Sequence, residues 1–329
     1  MQLPPVLRAA LADRLDAQSL DDLRVAGSRL TERYRAETRD GRQHLNGEAA
    51  VLAYLAARLP ATFAAIRASL DAVAERRPEF APATLLDVGA GPGTALFAAR
   101  DAFPGLARAT LVEASAPAMT VGAALTRRCF AGDENGGAGL AMDWVQGDAG
   151  VALAGRRPAD LVTLAYVLDE LAPAMLAPLV AKLWKLTAGI LVIVEPGTPA
   201  GWQRILAARG HLLEAGARIV APCPHAAACP VVAPDWCHFA ERVERSRTHR
   251  LTKSGTVPYE DEKFAYLAVA RSPVAPPEGR VLAPARKGSG KVALKLCTAG
   301  GTVAERLVTK REGETFRTAR RLDWGDVLE

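Results

Sequence analysis

The chain has 329 residues, of which 50% are hydrophobic and 23% charged, and its formal net charge is +5. This composition is typical of globular proteins and excludes disordered, collagen-like and disulfide-scaffold classes. Its longest apolar runs are interrupted by Asp, Glu or Pro well short of the roughly 20 residues of a membrane span. Charged residues are scattered through the first thirty positions, so we expect no signal or transit peptide, no membrane partner and a cytoplasmic location.

Residues 1–80 are predicted to form a helical N-terminal region. Asp21 and Asp22 follow Ser19 as an acidic first turn follows a helix N-cap. Apolar residues recur at helical spacing from Phe63 to Val73, and Pro78 ends the pattern.

Residues 81–272 have the pattern of an α/β domain, in which short apolar runs alternate with helical stretches. The predicted strands are Thr84 to Val88, Ala109 to Glu113, Trp144 to Gly147, Asp160 to Leu164, Ile190 to Val194 and Phe264 to Ala270. This alternation predicts a Rossmann-like fold with a mostly parallel sheet covered on both faces. The Pro- and Cys-rich stretch 210–258 has no regular period, so we interpret it as an insertion before the last strand.

Residues 273–329 are predicted to form a small β appendage. The stretch Ser272 to Pro277 contains three prolines and is typical of a linker. Alternating patterns at Val292 to Leu296 and Glu305 to Thr309 predict short strands beyond it.

A glycine-rich turn follows the first predicted strand. Gly89, Gly91 and Gly93 are spaced G-x-G-x-G, with Thr94 where a dinucleotide fingerprint has its third glycine. Glycines allow a close approach of the backbone to a ligand, and the helix N-terminus presents unpaired N–H groups. No Walker-type lysine follows, which disfavours phosphate binding. A turn needed only for packing and a nicotinamide-dinucleotide site remain alternatives.

Three carboxylates occupy positions that suit a nucleoside ligand with an amino-acid tail. Glu113 closes the second strand, where a carboxylate can accept both ribose hydroxyls. Asp148 follows the third strand and could accept from an adenine amino group, while Asp87 could orient the loop and meet an ammonium group. Together with the glycines, this pattern resembles that of S-adenosylmethionine-dependent methyltransferases of Rossmann-like fold.

The residues beyond the fourth strand do not identify a catalytic group. The stretch Leu164 to Glu170 contains no Asn/Asp-Pro-Pro-aromatic motif, and the fourth and fifth strands contain no cysteine nucleophile. Tyr166, Asp169, Glu170 and Glu195 could line the substrate side, although Asp169 and Glu170 could equally cap the next helix.

Four of the five cysteines form a candidate metal site, which comprises Cys223, Cys229, Cys237 and Cys297. The first three are spaced C-x5-C and C-x7-C, wider than the usual zinc pairs. Four thiolates suit a four-iron four-sulfur cluster and would also satisfy zinc, for which His225 and His238 are spare ligands; buried free thiols are the third alternative. Cys129 has no neighbouring ligand, so we interpret it as structural.

A basic cluster follows the cysteines. Arg242, Arg245, Arg247, Arg250 and Lys253 surround a single acid. From residue 241 onward the chain has 18 Lys and Arg against 12 Asp and Glu, so the positive charge is concentrated there. Such a cluster suits phosphate, and a solvated basic helix face is the alternative.

The motifs together resemble one family. They are Leu86 to Thr94, Val167 to Leu171, Val194 to Pro199, Cys223-Pro224-His225, Cys229-Pro230 and Trp236 to Phe239. From about Tyr54 onward the chain is similar to the methyltransferase-like proteins of the mitochondrial small ribosomal subunit and their bacterial relatives. The resemblance implies S-adenosylmethionine binding, a four-iron four-sulfur cluster on the four cysteines, and association with small-subunit ribosomal RNA during assembly.

The implied function is an assembly or translation factor of the small ribosomal subunit, monomeric outside the ribosome. An active ribosomal RNA methyltransferase is the alternative, and a redox or radical enzyme is a more remote one. In the family reading the cluster ties the appendage to the sheet domain, while Arg242, Arg245, Arg247 and Arg250 contact RNA phosphates.

Overall fold

A computed structural model describes residues 1–35, 43–130, 139–252 and 256–329. Within these ranges eight strands form one mixed sheet. They are β1 (Thr84–Val88), β2 (Arg108–Glu113), β3 (Ala141–Gln146), β4 (Ala159–Ala165), β5 (Thr187–Pro196), β6 (Arg218–Ala221), β7 (Phe239–Glu244) and β8 (Tyr259–Ala270). The strand order is β3-β2-β1-β4-β5-β8-β6, and β7 also pairs with β8.

Strands β1 to β5 are parallel to one another, whereas β8 runs antiparallel to β5, β6 and β7. Successive residues of β1 face opposite sides of the sheet, so Leu85 and Leu86 belong to different hydrophobic cores. Both faces are therefore buried, as the apolar runs predicted. The Rossmann-like α/β fold is confirmed.

Six helices are interleaved with these strands in the described part of the chain. They are α5 (Thr94–Ala102), α6 (Ala116–Phe130), α7 (Ala149–Ala152), α8 (Pro173–Lys185), α9 (Pro199–Glu214) and α10 (Arg247–Thr252). Apolar residues of α5 and α6 belong to one core, and those of α8 and α9 to the other, so these helices cover opposite faces of the sheet.

The described N-terminal region contains four helices. They are α1 (Pro5–Leu15), α2 (Leu20–Arg35), α3 (Glu48–Ala57) and α4 (Leu59–Arg76). Helix α4 packs on α5 and on β8, and its buried face includes Phe63, Ile66, Leu70 and Val73. The N-terminal helices therefore complete the core of the sheet domain.

No single helix among the described residues is long and apolar enough to cross a membrane. Helices α3 and α4 meet that test only as a pair bent by 59°, and both are largely buried in this fold.

The stretch 210–258 is not an insertion outside the sheet, which corrects the prediction from its composition. It contributes the end of α9, strands β6 and β7, and α10. Both strands pair with the same edge of β8, since β5 occupies the opposite edge. The irregular part is the segment between Ala221 and Phe239, which leaves that edge and returns to it.

The C-terminal residues form a second, five-stranded sheet in the described structure. Its elements are β9 (Gly279–Val281), β10 (Arg286–Gly288), β11 (Lys291–Thr298), β12 (Val303–Thr309), a 3-10 turn (Lys310–Glu312), α11 (Glu314–Arg321) and β13 (Val327–Leu328). One face buries Val292, Leu294 and Leu296 together with Phe316 of α11. Cys297 is also buried, and in the register of β11 it lies opposite Arg280 of β9.

The substitution Leu70→Ala tests the packing of α4. Leu70 is fully buried, so removing its side chain should lower the free energy of unfolding by about 2–5 kcal/mol. The control Val6→Ala changes a half-exposed residue of α1 and should stay within about 0.5 kcal/mol. Equal losses in denaturant unfolding would contradict the packing of α4 in the core.

Candidate functional site

A cavity of about 490 Å³ lies at the carboxyl edge of the parallel strands, where β1, β2 and β4 end. The glycine turn between β1 and α5 forms its floor. Gly89, Gly91 and Gly93 have φ values of +69°, +54° and +89°, which favour glycine. A Cβ atom on Gly89 would lie 2.3 Å from Cγ2 of Val167, so no other residue fits there without movement.

Asp87 lies inside the sheet at the base of this cavity. Its Oδ1 accepts a hydrogen bond of 2.7 Å from the Thr163 hydroxyl on β4. Its Oδ2 is buried and has no hydrogen-bond partner. Burial raises the pKa of Asp87 to about 7, against the opposing effect of the Thr163 hydrogen bond. A cationic ligand in the cavity would favour the ionised carboxylate.

Glu113 lines the cavity, and its carboxylate already accepts hydrogen bonds from the backbone. Its Oε2 accepts from the N–H of Gly91 at 2.7 Å, and its Oε1 accepts from the N–H of Ser115 at 2.7 Å. Burial raises the pKa of Glu113, and these backbone donors lower it. Each carboxylate oxygen has a second lone pair, so ribose hydroxyls could still donate to Glu113.

Two further predicted residues have local structural roles. Asp148 lines the cavity, but its side chain also caps α7 by accepting from the N–H of Gly150 at 2.6 Å. Gly93 is not among the cavity-lining residues; a Cβ there would lie 3.1 Å from Thr126 and 3.6 Å from Trp144. Gly93 is the N-cap of α5, and its own backbone has the left-handed conformation.

The N-terminal region supplies cavity walls that sequence reasoning missed. Tyr34, His44, Leu45 and Tyr54 all line the cavity. The Tyr54 hydroxyl lies 3.0 Å from the Thr94 hydroxyl at the start of α5. Tyr34 of α2 and Tyr54 of α3 had only helical periodicity as a sequence signal, and this does not separate a core tyrosine from one that faces a ligand. His44 and Leu45 lie between these two helices.

The residues after β4 form the wall between this cavity and a larger groove of about 1330 Å³. Tyr34 and Tyr166 line both. Tyr166 has φ +58°, a strained value for a non-glycine residue, and its hydroxyl donates to Glu262 at 3.0 Å. Burial raises the pKa of Tyr166 well above its ordinary value.

Three acids named for the substrate side lie near this wall. Asp169 lines the groove and Glu170 the cavity. Burial, reinforced by Asp169, raises the pKa of Glu170 to about 8. Glu195 is fully buried; it accepts from the N–H of Leu168 at 3.0 Å and from Arg204 at 2.8 Å. Glu195 therefore fixes the backbone after β4 and does not reach the cavity.

The structure brings the four predicted cysteines together. Burial raises the pKa of Cys237 well above its ordinary value, and the thiols of Cys223, Cys229 and Cys297 raise it further. Sγ of Cys297 lies 3.4 Å from Nε2 of His225. Among the described residues, however, no group of three or more His, Cys, Asp or Glu side chains is arranged to hold a metal ion.

The ring of His238 is held between two tryptophans. Trp236 stacks on it with centroids 4.7 Å apart, and Trp324 of the appendage meets it edge-on at 4.9 Å. The indole N–H groups of the two tryptophans donate to Gly197 and His238 carbonyls. These contacts fix Cys237 between the sheet and the appendage. Cys129, by contrast, lies on α6 away from this group.

The predicted phosphate-binding arginines divide into two pairs. Arg242 makes a bidentate ion pair with Asp261 at 2.8 and 3.0 Å, and Arg245 pairs with Glu260 at 2.8 Å. Arg247 and Arg250 are exposed on α10. Lys253 lies outside the described residues.

Comparison with known proteins assigns the chain to a family. The family described as mitochondrial small ribosomal subunit Rsm22 matches residues 48–329. The chain belongs to the Rsm22 family. The family-level resemblance predicted from the sequence motifs is therefore confirmed.

Two curated relatives of this Rsm22 family chain are informative. The ribosome assembly protein METTL17, mitochondrial, of Homo sapiens is 29% identical over 293 residues, covering 84% of this chain and 62% of that protein. The Rsm22-cox11 tandem protein 2, mitochondrial, of Schizosaccharomyces pombe is 28% identical over 193 residues, covering 45% of this chain and 26% of that protein. The expectation of a cytoplasmic location is contradicted by these relatives, which are mitochondrial proteins. It rested only on the composition of the first thirty residues.

Solved structures with similar folds include methyltransferases. Magnesium protoporphyrin IX methyltransferase from Synechocystis with bound SAM is 13% identical, has a TM-score of 0.42 and covers 78% of this chain and 100% of that one. A putative RNA methyltransferase from Pyrococcus horikoshii is 13% identical, has a TM-score of 0.38 and covers 62% and 81%. Likeness at this level bears on neither substrate nor activity.

The raised pKa of Asp87 predicts a pH-dependent effect of Asp87→Asn on stability. Between the unfolded pKa near 3.8 and the folded pKa near 7, stability falls as pH rises, because the folded state holds a proton that the unfolded state has lost. The Asn variant lacks this cost. Its free energy of unfolding should exceed that of the parent by on the order of a few kcal/mol at pH 8, with the difference vanishing toward pH 4. A difference independent of pH in urea unfolding would contradict the buried carboxylate.

Proposed function

We propose that this chain binds S-adenosylmethionine in the cavity at the carboxyl edge of the sheet and acts in assembly of the small ribosomal subunit. The observation that carries the cofactor proposal is the buried Oδ2 of Asp87, which has no partner and opens onto a cavity floored by glycines. An ammonium group would compensate that carboxylate. Glu113 and Asp148 flank the space that the adenosine would occupy.

Family membership supports the ribosomal partner. The human relative is a ribosome assembly protein by name, and the family description refers to the mitochondrial small subunit. We infer that the partner of this chain is small-subunit ribosomal RNA. The exposed Arg247 and Arg250 would make its main phosphate contacts, since Arg242 and Arg245 are paired with carboxylates.

Methyl transfer would be a further step beyond cofactor binding. An acceptor would have to enter the cofactor cavity, and Tyr34 and Tyr166 lie between that cavity and the groove. We therefore place binding, and not methyl transfer, at the centre of the proposal.

We further propose that Cys223, Cys229, Cys237 and Cys297 hold a four-iron four-sulfur cluster. The four thiols are mutual neighbours, which supports a shared ligand. Their spacing, C-x5-C and C-x7-C in the first three, departs from the usual zinc pairs, so we favour a cluster over zinc. Bound there, the cluster would supply a cross-link between the sheet domain and the appendage.

The first test is binding of S-adenosylmethionine by calorimetry. The parent should bind, and Asp87→Asn should weaken affinity roughly tenfold or more, since about 1.4 kcal/mol corresponds to one decade. The control Asp143→Asn removes an exposed carboxylate of β3 that is outside the cavity and should leave affinity unchanged. Equal affinity of the parent and Asp87→Asn would contradict the assigned role.

The second test is metal analysis after anaerobic purification. The proposal predicts iron and sulfide near four per chain, with a brown colour that is lost in Cys229→Ser and retained in Cys129→Ser. One zinc per chain without colour would overturn the cluster and leave a zinc site. Absence of iron, sulfide and zinc would overturn the metal proposal altogether.

The third test is RNA binding at several salt concentrations. Arg247→Glu with Arg250→Glu should weaken binding to small-subunit RNA and reduce the salt slope by about one per lost phosphate contact. Arg108→Glu, at the exposed opposite end of β2, is the control. Unchanged slope and affinity in the double variant would exclude α10 as a contact surface.

A further inference from the structure

Two arginines are buried beside the four-cysteine group. Arg209 is on α9 and is 6% exposed, and Arg280 is on β9 and is 2% exposed. Buried arginines are normally paired with a carboxylate. In the described part of the chain, neither of these two makes such an ion pair.

Both side chains are fixed by backbone carbonyls next to the cysteines. Nε of Arg280 donates to the Pro222 carbonyl at 3.0 Å, and its Nη1 donates to the Gly325 carbonyl at 2.6 Å. Nη2 of Arg209 donates to the carbonyls of His225 and Ala227 at 2.9 and 2.7 Å. The bonds to the Pro222 and Ala227 carbonyls place both guanidinium groups against the loop that carries Cys223 and Cys229.

The register of the appendage sheet places Arg280 on the cysteine side. Cys297 lies directly opposite Arg280 in the antiparallel pair of β11 and β9, and opposite residues share a face of the sheet. Nε of Arg209 and Nη2 of Arg280 remain buried without a hydrogen-bond partner. Both arginines therefore have a buried N–H group without an acceptor beside the four cysteines.

An acceptor of the right charge would result from metal binding. Thiols bind metals as thiolates, and four thiolates around a dipositive ion or a dipositive iron–sulfur core leave two negative charges. Two guanidinium groups carry two positive charges. Burying either set alone is costly, whereas burying both together neutralises the region.

We propose that Arg209 and Arg280 are the charge-compensating residues of the four-cysteine group, which takes a metal–thiolate centre with two net negative charges. This inference rests on the metal site of the proposed function. It adds that the site selects its ligand by charge, through residues that do not contact the metal, and that metal binding and burial of the arginines stabilise each other.

The test compares metal retention in Arg280→Gln and Arg209→Gln with that in the matching lysine variants. In the presence of a chelator, the glutamine variants should lose metal at least tenfold faster than the parent, and the lysine variants should retain it better than the glutamine variants. The control is Arg271→Gln, because Arg271 also donates to two backbone carbonyls, those of Thr187 and Trp184, away from the cysteines. It should lose metal at the parent rate.

A second measurement keeps the inference testable if a variant holds little metal. The rise in melting temperature between metal-free and metal-loaded protein should be smaller in the glutamine variants than in the parent. The inference would be overturned if the glutamine variants lost metal at the parent's rate and showed the parent's rise in melting temperature. It would also be overturned if the lysine and glutamine variants lost metal at equal rates. A parent purified without any metal would instead overturn the metal site itself, and this inference with it.

Discussion

The carboxyl edge of the parallel sheet imposes the main constraint on this structure. Strands β1, β2 and β4 end side by side, so several polar groups at this edge depend on side chains for their hydrogen bonds. Glu113 satisfies the N–H of Gly91, and Thr163 satisfies one oxygen of Asp87. The helices of the N-terminal region then cover the edge and bury what remains. The other oxygen of Asp87 is the group left for a ligand.

The cysteine segment lies at a lateral edge of the same sheet, beside β8. Strands β6 and β7 share one edge of β8, and the chain between them is irregular. The Trp236, His238 and Trp324 rings and the Arg280 hydrogen bonds hold it against the appendage. Since Cys297 belongs to the appendage and the other three cysteines to this segment, a shared ligand would join the two sheets.

The sequence allowed the sheet domain to be predicted well, because strands buried on both faces are continuous apolar runs. The segment around Cys223 was harder. Its many prolines did not suggest strands, and β6 and β7 are too short to show a clear alternation of apolar and polar residues. The floor of the cavity could be predicted from Gly89, Gly91 and Asp87. The roles of Tyr54 in the cavity and of Arg209 beside the cysteines could not be predicted. Tyr54 and Arg209 each lie in a helix whose apolar pattern predicts burial. That pattern does not indicate which polar side-chain atoms are buried or what they contact.

The most direct test of this account is a crystal structure of the chain grown with S-adenosylhomocysteine, which has the same adenosyl and amino-acid groups as the proposed cofactor. The account predicts electron density in the cavity, with the amino group within hydrogen-bond distance of Oδ2 of Asp87 and the adenosine between Glu113 and Asp148. An empty cavity at saturating ligand, or a ligand bound elsewhere, would contradict it.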